Sequence, residues 1–198
     1  MGTEPRFVVV GSGRSGTGFI AHVLTAAGIP TGHEAWWNPL GERQEGLVGD
    51  ASWCAVPELA KYDGLVWHQT RHPLAVIASL AAAPLWGPYA ELAAPFAESV
   101  PEIPYAREAA LWVFLNLACE NYATRCWQVE EVDAELVEEL GGRIGVPVSS
   151  SAALEAVSAT SVTTNAHHEG RPIMWGDLPD LPVTACLVGM ARRYGYLP

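Results

Sequence analysis

The chain is nearly without lysine. Lys61 stands alone against ten arginines, and 22 acidic residues bring the net charge to −11 over 198 residues. Nucleic-acid binding draws on many phosphate contacts from basic side chains, so this balance excludes a nucleic-acid partner. A single anionic ligand needs only a few local charges and is still allowed. Long apolar runs are missing as well: no stretch reaches the ~20 residues of a membrane-spanning helix. The opening "MGTEPR" lacks the basic start and apolar stretch of a signal peptide. Arg6 stands where a myristoylation signal carries Ser or Thr. The four cysteines (Cys54, Cys119, Cys126 and Cys186) form no CxxC pair and no Cys/His cluster. Reduced, buried thiols in a cytoplasmic protein are expected from that scatter. Charged residues make up 17% of the chain and hydrophobic ones 49%, which excludes disorder and predicts a sizeable core in one domain spanning residues 1–198.

What is present alternates strand and helix signals. "RFVVV" reads as a buried strand, and "GTGFIAHVLTAAG" (16–28) as a helix ending at a glycine. "DGLVWHQTR" (63–71) is a second strand, followed by a helix over 73–83 that Pro73 opens. Residues 84–104 read as a lid or loop with short helical turns, 105–125 as the longest helix, and "CWQVEEV" (126–132) as a third strand. A short acidic helix follows over 133–145, then a mostly polar stretch from Ser149 to Pro182, then a terminal helix over 182–196. The stretch "AAGIPTGHEAWW" (26–37) is a poor strand, with Pro30, two glycines and no apolar run.

Between the first strand and helix lies "GSGRSGTG" (11–18), where two phosphate-binding patterns overlap. Gly11, Gly13 and Gly16 spell GxGxxG, the dinucleotide fingerprint, but that site also needs an acidic residue at the end of a following strand. Glu34 has roughly the offset and lacks the strand. Gly11 and Gly16 also have P-loop spacing, with Thr17 where the lysine belongs. Backbone N–H groups of residues 13–18 then cradle a phosphate at the helix N-terminus, and Arg14 supplies the missing charge. The absent lysine, and the absence of a clear magnesium-holding Asp after "GLVWHQT", count against an ordinary ATPase or kinase and predict a nucleotide bound without metal. The fold expected is α/β: three layers, α/β/α, around a central parallel sheet of the P-loop nucleoside-triphosphate-hydrolase-like type.

At two places the chain resembles the sulfotransferases that use 3′-phosphoadenosine 5′-phosphosulfate. "GRSGTGF" (13–19) is similar to their 5′-phosphosulfate loop, with Arg14 at its lysine position. "TRHPLAVIAS" (70–79) is similar to their 3′-phosphate motif, an arginine with a serine eight residues on, here Arg71 and Ser79, with His72 in place of the usual Asp. "WQVEEVDAELVEELGGRIGVP" and the closing "ARRYGY" are weaker echoes. The resemblance implies a transferase moving a sulfuryl group to an acceptor hydroxyl, with Gly13, Arg14, Ser15, Gly16, Thr17, Gly18, Arg71 and Ser79 on the nucleotide. It also implies that Arg171, in a late loop, touches a phosphate, and that a glutamate shortly after the first helix is the base. Glu34 in "TGHEAWW" falls there, with His33 the next choice, and Arg14 assists catalysis. The co-substrate implied is the phosphosulfate, with no metal, and the acceptor a small molecule, glycan or peptide; the oligomeric state is unspecified.

Other residues read as structural. His68 on its strand is a satisfied core or rim histidine; Glu130 and Glu131 end a strand, where a helix-capping or structural role and a catalytic one are equally open. His167, His168 and Glu169 are adjacent without a second cluster, a weak metal signal. Two other functional readings stay open on the residues alone: a P-loop kinase or hydrolase of a small metabolite, and a catalytically silent nucleotide-binding module.

Overall fold

Strand β1 (Phe7–Val10) is buried on both faces, as four consecutive apolar β-formers require. Val8 and Val10 face one core while Phe7 and Val9 face another, so the strand divides the interior in two. The computed structural model describes residues 4–41, 43–97, 99–160 and 171–197. Among these residues β2 (Thr31–His33), β3 (Gly49–Ala51), β4 (Leu65–Thr70) and β5 (Arg125–Gln128) complete a parallel sheet in the order β2-β3-β1-β4-β5. The register sets Phe7 beside Gly49 on one side and Leu65 on the other.

Helix α1 (Thr17–Ala26) packs on the Phe7/Val9 face with α5 (Ala134–Arg143) and α6 (Ser150–Ala159). The opposite face carries a 3₁₀ helix over Trp53–Lys61, α2 (Pro73–Ala82), α4 (Ala106–Glu120) and α7 (Pro182–Arg193). Between α2 and α4, α3 (Gly87–Ala93) forms part of the loop region. The result is the expected α/β fold, a parallel sheet covered by helices on both faces. Among the described residues no helix is long and apolar enough to cross a membrane.

Three expectations need correcting. Thr31–His33 is a strand despite its poor pattern, and Gly49–Ala51 is another that no periodicity signalled. Both are three residues long and take their geometry from pairing: β3 lies between β1 and β2. The polar stretch after Ser149 contains α6, which the Ser149 hydroxyl caps by accepting from the Ala152 N–H. Cys54 and Cys119 are buried, but Cys126 and Cys186 are exposed.

The chain leaves β1 through α1 to one side of the sheet and returns to β4 on the other. Strand order therefore reverses beside β1, and the C-terminal ends of β1 and β4 flank a crevice where open parallel sheets bind ligands. Phe7 and Trp67 stack across these two strands with ring centroids 4.4 Å apart, and Trp67 is fully buried. Trp67→Ala is expected to cost about 3–5 kcal/mol in urea unfolding, the range for truncating a buried aromatic; a loss below about 1 kcal/mol would contradict this packing.

Candidate functional site

The loop between β1 and α1 has its carbonyls occupied from β4. Gln69, fully buried, donates Nε2 to the Ser15 carbonyl at 3.0 Å, and its Oε1 accepts from Trp127 Nε1 at 3.1 Å. Arg71 donates Nη1 to the Arg14 carbonyl at 3.1 Å. Two backbone conformations make this turn possible. Gly16 has φ +89°, and a Cβ there would come within 3.0 Å of Val129. At Gly11 a Cβ would fall 2.3 Å from the Gln69 carbonyl oxygen, so the loop lies directly against β4. Arg14 itself sits at φ +69°.

Helix α1 begins with no side-chain cap and no acid in its first turn. By contrast, Asp133 caps α5 by accepting from the Leu136 N–H. Within the loop, Ser12 and Ser15 are 1% and 0% exposed; their hydroxyls and Arg14 Nε are buried without a protein hydrogen-bond partner. Buried polar atoms are paired in the great majority of cases, so three orphans in one loop mark a place built for a polar ligand. An uncapped helix start and orphan donors together suit an anion.

The predicted nucleotide residues converge here. Gly13, Ser15, Gly16, Thr17 and Gly18 form the loop and the first turn of α1. Arg14 Nη2 donates to the carbonyl of Ala83 at 3.1 Å, just past the end of α2, and Ala83 N–H in turn bonds to the Ser79 carbonyl. Ser79 is therefore one turn from the point where Arg14 is anchored. Arg71 follows β4, and its own carbonyl accepts from Trp112 Nε1 at 3.2 Å. Arg71 and the end of α2, where Ser79 lies, are thus both tied to the loop through Arg14. Arg171 is exposed at the edge of the described segment 171–177; Trp175 in that segment lies 6.1 Å from the His72 ring. His167, His168 and Glu169 fall outside the described residues.

Glu34 and His33 stand across from the loop. His33 Nε2 is hydrogen-bonded to Thr17 Oγ1 at 3.2 Å and lies 3.8 Å from Glu34 Oε1, so the histidine bridges loop and carboxylate. Glu34 has φ +52°, an unusual backbone for a non-glycine residue. It is held by Asp50, which sequence reading missed. Asp50, fully buried on β3, accepts from the Ala35, Trp36 and Trp37 N–H groups at 3.1–3.2 Å. Burial pushes its pKa up and the three N–H groups work against that. Both carboxylate oxygens serve the backbone of the segment that follows Glu34.

His72 turns its ring toward Tyr196, 5.3 Å away, and burial lowers its pKa, against the Glu130 charge. Glu130 is more than a cap: Oε1 accepts from the His72 N–H and Oε2 from the Tyr196 hydroxyl. His68 is a satisfied core histidine as expected, fully buried with Nε2 2.8 Å from Asn116 Oδ1. Its other nitrogen faces Cys126 Sγ at 3.7 Å along a cavity of about 400 Å³ beside β5, also lined by Thr70, Glu120 and Tyr194. Cys126 is exposed as a residue, but its sulfur is partly buried against His68; that burial pushes the thiol up to about 11, and Glu120 adds to it, so it is protonated at neutral pH.

No known protein-family model matches the chain. No curated protein matches it in sequence either. Among solved structures the chain is similar to the crystal structure of a sulfotransferase from Alicyclobacillus acidocaldarius, at 16% identity and a TM-score of 0.45, over 75% of this chain and 85% of that one. At that distance, function has to be read from the site's own geometry.

Asp50→Asn tests the support beneath Glu34. The amide would turn an NH₂ toward at least one backbone N–H that now meets an acceptor. A loss of about 1–3 kcal/mol in urea unfolding is expected, the cost of leaving a buried donor unpaired. Unchanged stability would mean that the segment 35–37 is held by something else.

Proposed function

We propose that the chain is a sulfotransferase that takes a sulfuryl group from 3′-phosphoadenosine 5′-phosphosulfate and gives it to a hydroxyl. The observation that carries this reading is the loop: an uncapped α1 whose first turn lacks acid, joined to buried, unpaired Ser12, Ser15 and Arg14 groups. Three further features support it over the kinase and silent-module readings. Thr17 occupies the P-loop lysine position. Asp50, the acid on the strand beside β1, spends both oxygens on backbone N–H groups. Arg71 and Ser79 lie beside the loop, where a second phosphate of the same nucleotide would need them.

In this reading the loop N–H groups and the two serines hold the 5′-phosphosulfate, and Arg71 with Ser79 holds the 3′-phosphate. A planar guanidinium fork can give one N–H to the Arg14 carbonyl and the others to phosphate. Glu34 takes the acceptor's proton as the acceptor oxygen bonds to sulfur. The bond between sulfur and the bridging oxygen breaks, and its electron pair stays on the 5′-phosphate. Arg14 and the loop dipoles stabilise that developing charge. His33, between Thr17 and Glu34, orients the carboxylate. The acceptor's proton ends on Glu34 and leaves to solvent after product release.

Thermal shift decides between nucleotide classes. Adenosine 3′,5′-bisphosphate is expected to raise the melting temperature without magnesium, as a ligand selective for the folded chain does. Stabilisation by NAD or magnesium-ATP alone overturns the reading. Arg71→Ala should cost about 1.5–3 kcal/mol of bisphosphate binding, or roughly ten- to hundredfold in affinity. Adenosine 5′-phosphosulfate, which lacks the 3′-phosphate, should lose much less. Equal losses would reassign Arg71 to bracing the loop alone.

Glu34→Gln separates chemistry from binding. Turnover with any hydroxyl acceptor should fall about 10²–10⁴-fold, while bisphosphate affinity stays nearly constant. Arg14→Ala should weaken both. Full turnover in Glu34→Gln would move the base to His33.

A further inference from the structure

A chain of aromatic rings leads outward from the phosphate loop. Trp53, 4% exposed, lies against Gly13: a Cβ at Gly13 would sit 3.8 Å from its indole. Tyr89 follows, with ring centroid 6.2 Å from Trp53, and then Trp86, 5.9 Å from Tyr89 and 67% exposed. One exposed tryptophan is ordinary on a protein surface. Here it ends a row that begins under the nucleotide loop, on the same side as Glu34. One contact and the burial of Glu34 fix that side. The Glu34 N–H bonds to the Ala51 carbonyl, two residues before Trp53, and the Glu34 carboxylate is only 17% exposed. Burial first, and then the Glu34 and Cys54 groups, raise the pKa of the Tyr89 phenol.

We propose that Trp86 and Tyr89 form the acceptor platform, and that the acceptor is an uncharged aromatic compound carrying one reactive hydroxyl. The proposal rests on the sulfuryl-transfer reading for the role of Glu34. A ring laid on this platform makes face and edge contacts of the kind aromatic side chains favour. Its hydroxyl lies beside the one cluster of polar groups at the inner end: Glu34, His33 and the Tyr89 phenol. A glycan brings many hydroxyls, each needing a partner on burial, and the ring faces of Trp53, Tyr89 and Trp86 supply none. An anionic acceptor brings its charge against the Glu34 carboxylate, while the neighbouring Arg14 Nη2 is engaged by Ala83.

The platform also connects to the donor loop. Ala83, which receives Arg14, is three residues before Trp86. Arg14 thus ties the phosphate loop to the segment that presents the acceptor rings.

The test is equilibrium dialysis of 2-naphthol against the full chain, with and without saturating adenosine 3′,5′-bisphosphate. Methyl glucoside and 4-hydroxybenzoate serve as the glycan and anionic comparators. Saturable naphthol binding is expected, at least tenfold tighter than either comparator. Trp86→Ala, a change at an exposed site, should weaken it about tenfold without altering the melting temperature or its shift by the bisphosphate. Tyr89→Phe should keep the naphthol affinity within about twofold, since the ring remains. Tighter binding of methyl glucoside or 4-hydroxybenzoate, or naphthol binding untouched by Trp86→Ala, overturns the platform. A tenfold or greater loss of naphthol affinity in Tyr89→Phe, which keeps the ring, also overturns the platform. Failure of the sulfotransferase reading looks different: naphthol binds and depends on Trp86, but the bisphosphate gives no thermal shift.

Discussion

A backbone loop can turn its amide hydrogens toward an anion only if its carbonyl oxygens are satisfied elsewhere, and here β4 does that. Gln69 on β4 and Arg71, just past its end, take the carbonyls of Ser15 and Arg14. Gln69 is itself fixed by Trp127 on β5, which makes the loop geometry a property of three neighbouring strands. Leaving either carbonyl buried and unpaired costs about 1–3 kcal/mol. The left-handed turns at Arg14 and Gly16 add strain that these bonds hold in place.

The same economy extends to the other half of the site. Asp50 uses one buried carboxylate to organise three consecutive amides behind Glu34, so a segment with no regular structure of its own becomes rigid. Strands β1, β3 and β4 therefore each contribute something separate: β1 leads into the loop, β3 anchors the carboxylate segment, and β4 braces the loop from the other side. The reacting groups proposed here meet at the point where strand order reverses, and their supports are the buried polar residues of an otherwise apolar sheet. Buried polar networks are costly when partly satisfied, which ties the integrity of the site to that of the fold.

Much of the architecture was legible because it rests on local chemistry. The four apolar residues of β1, the glycine loop and the Pro73 helix start are all local signals, and the structure follows them. Strand β3 was invisible because its middle residue is an aspartate, and only the partner amides at 35–37 make that burial tolerable. Strand β2 and helix α6 were hidden for a related reason: a three-residue strand and an alanine-rich helix give little periodicity. In the site, Arg14, Arg71 and Ser79 could be named only through the resemblance of their motifs to those of sulfotransferases. Gln69, Asp50 and Tyr89 could not be named, since each matters through contacts 13 to 58 positions away, or through a ring in a segment that reads only as loop. A polar residue in the middle of a buried strand is the signal that would have found Gln69 and Asp50.

The central claim is that one nucleotide spans the β1 loop and the end of β4, with its two phosphates on different elements. A crystal structure with adenosine 3′,5′-bisphosphate tests it directly. The account predicts the 5′-phosphate within hydrogen-bonding distance of the N–H groups of residues 13–18 and of the Ser15 hydroxyl, and the 3′-phosphate on Arg71 and Ser79. A nucleotide bound in the cavity beside β5, or one whose 3′-phosphate points away from Arg71, would contradict it.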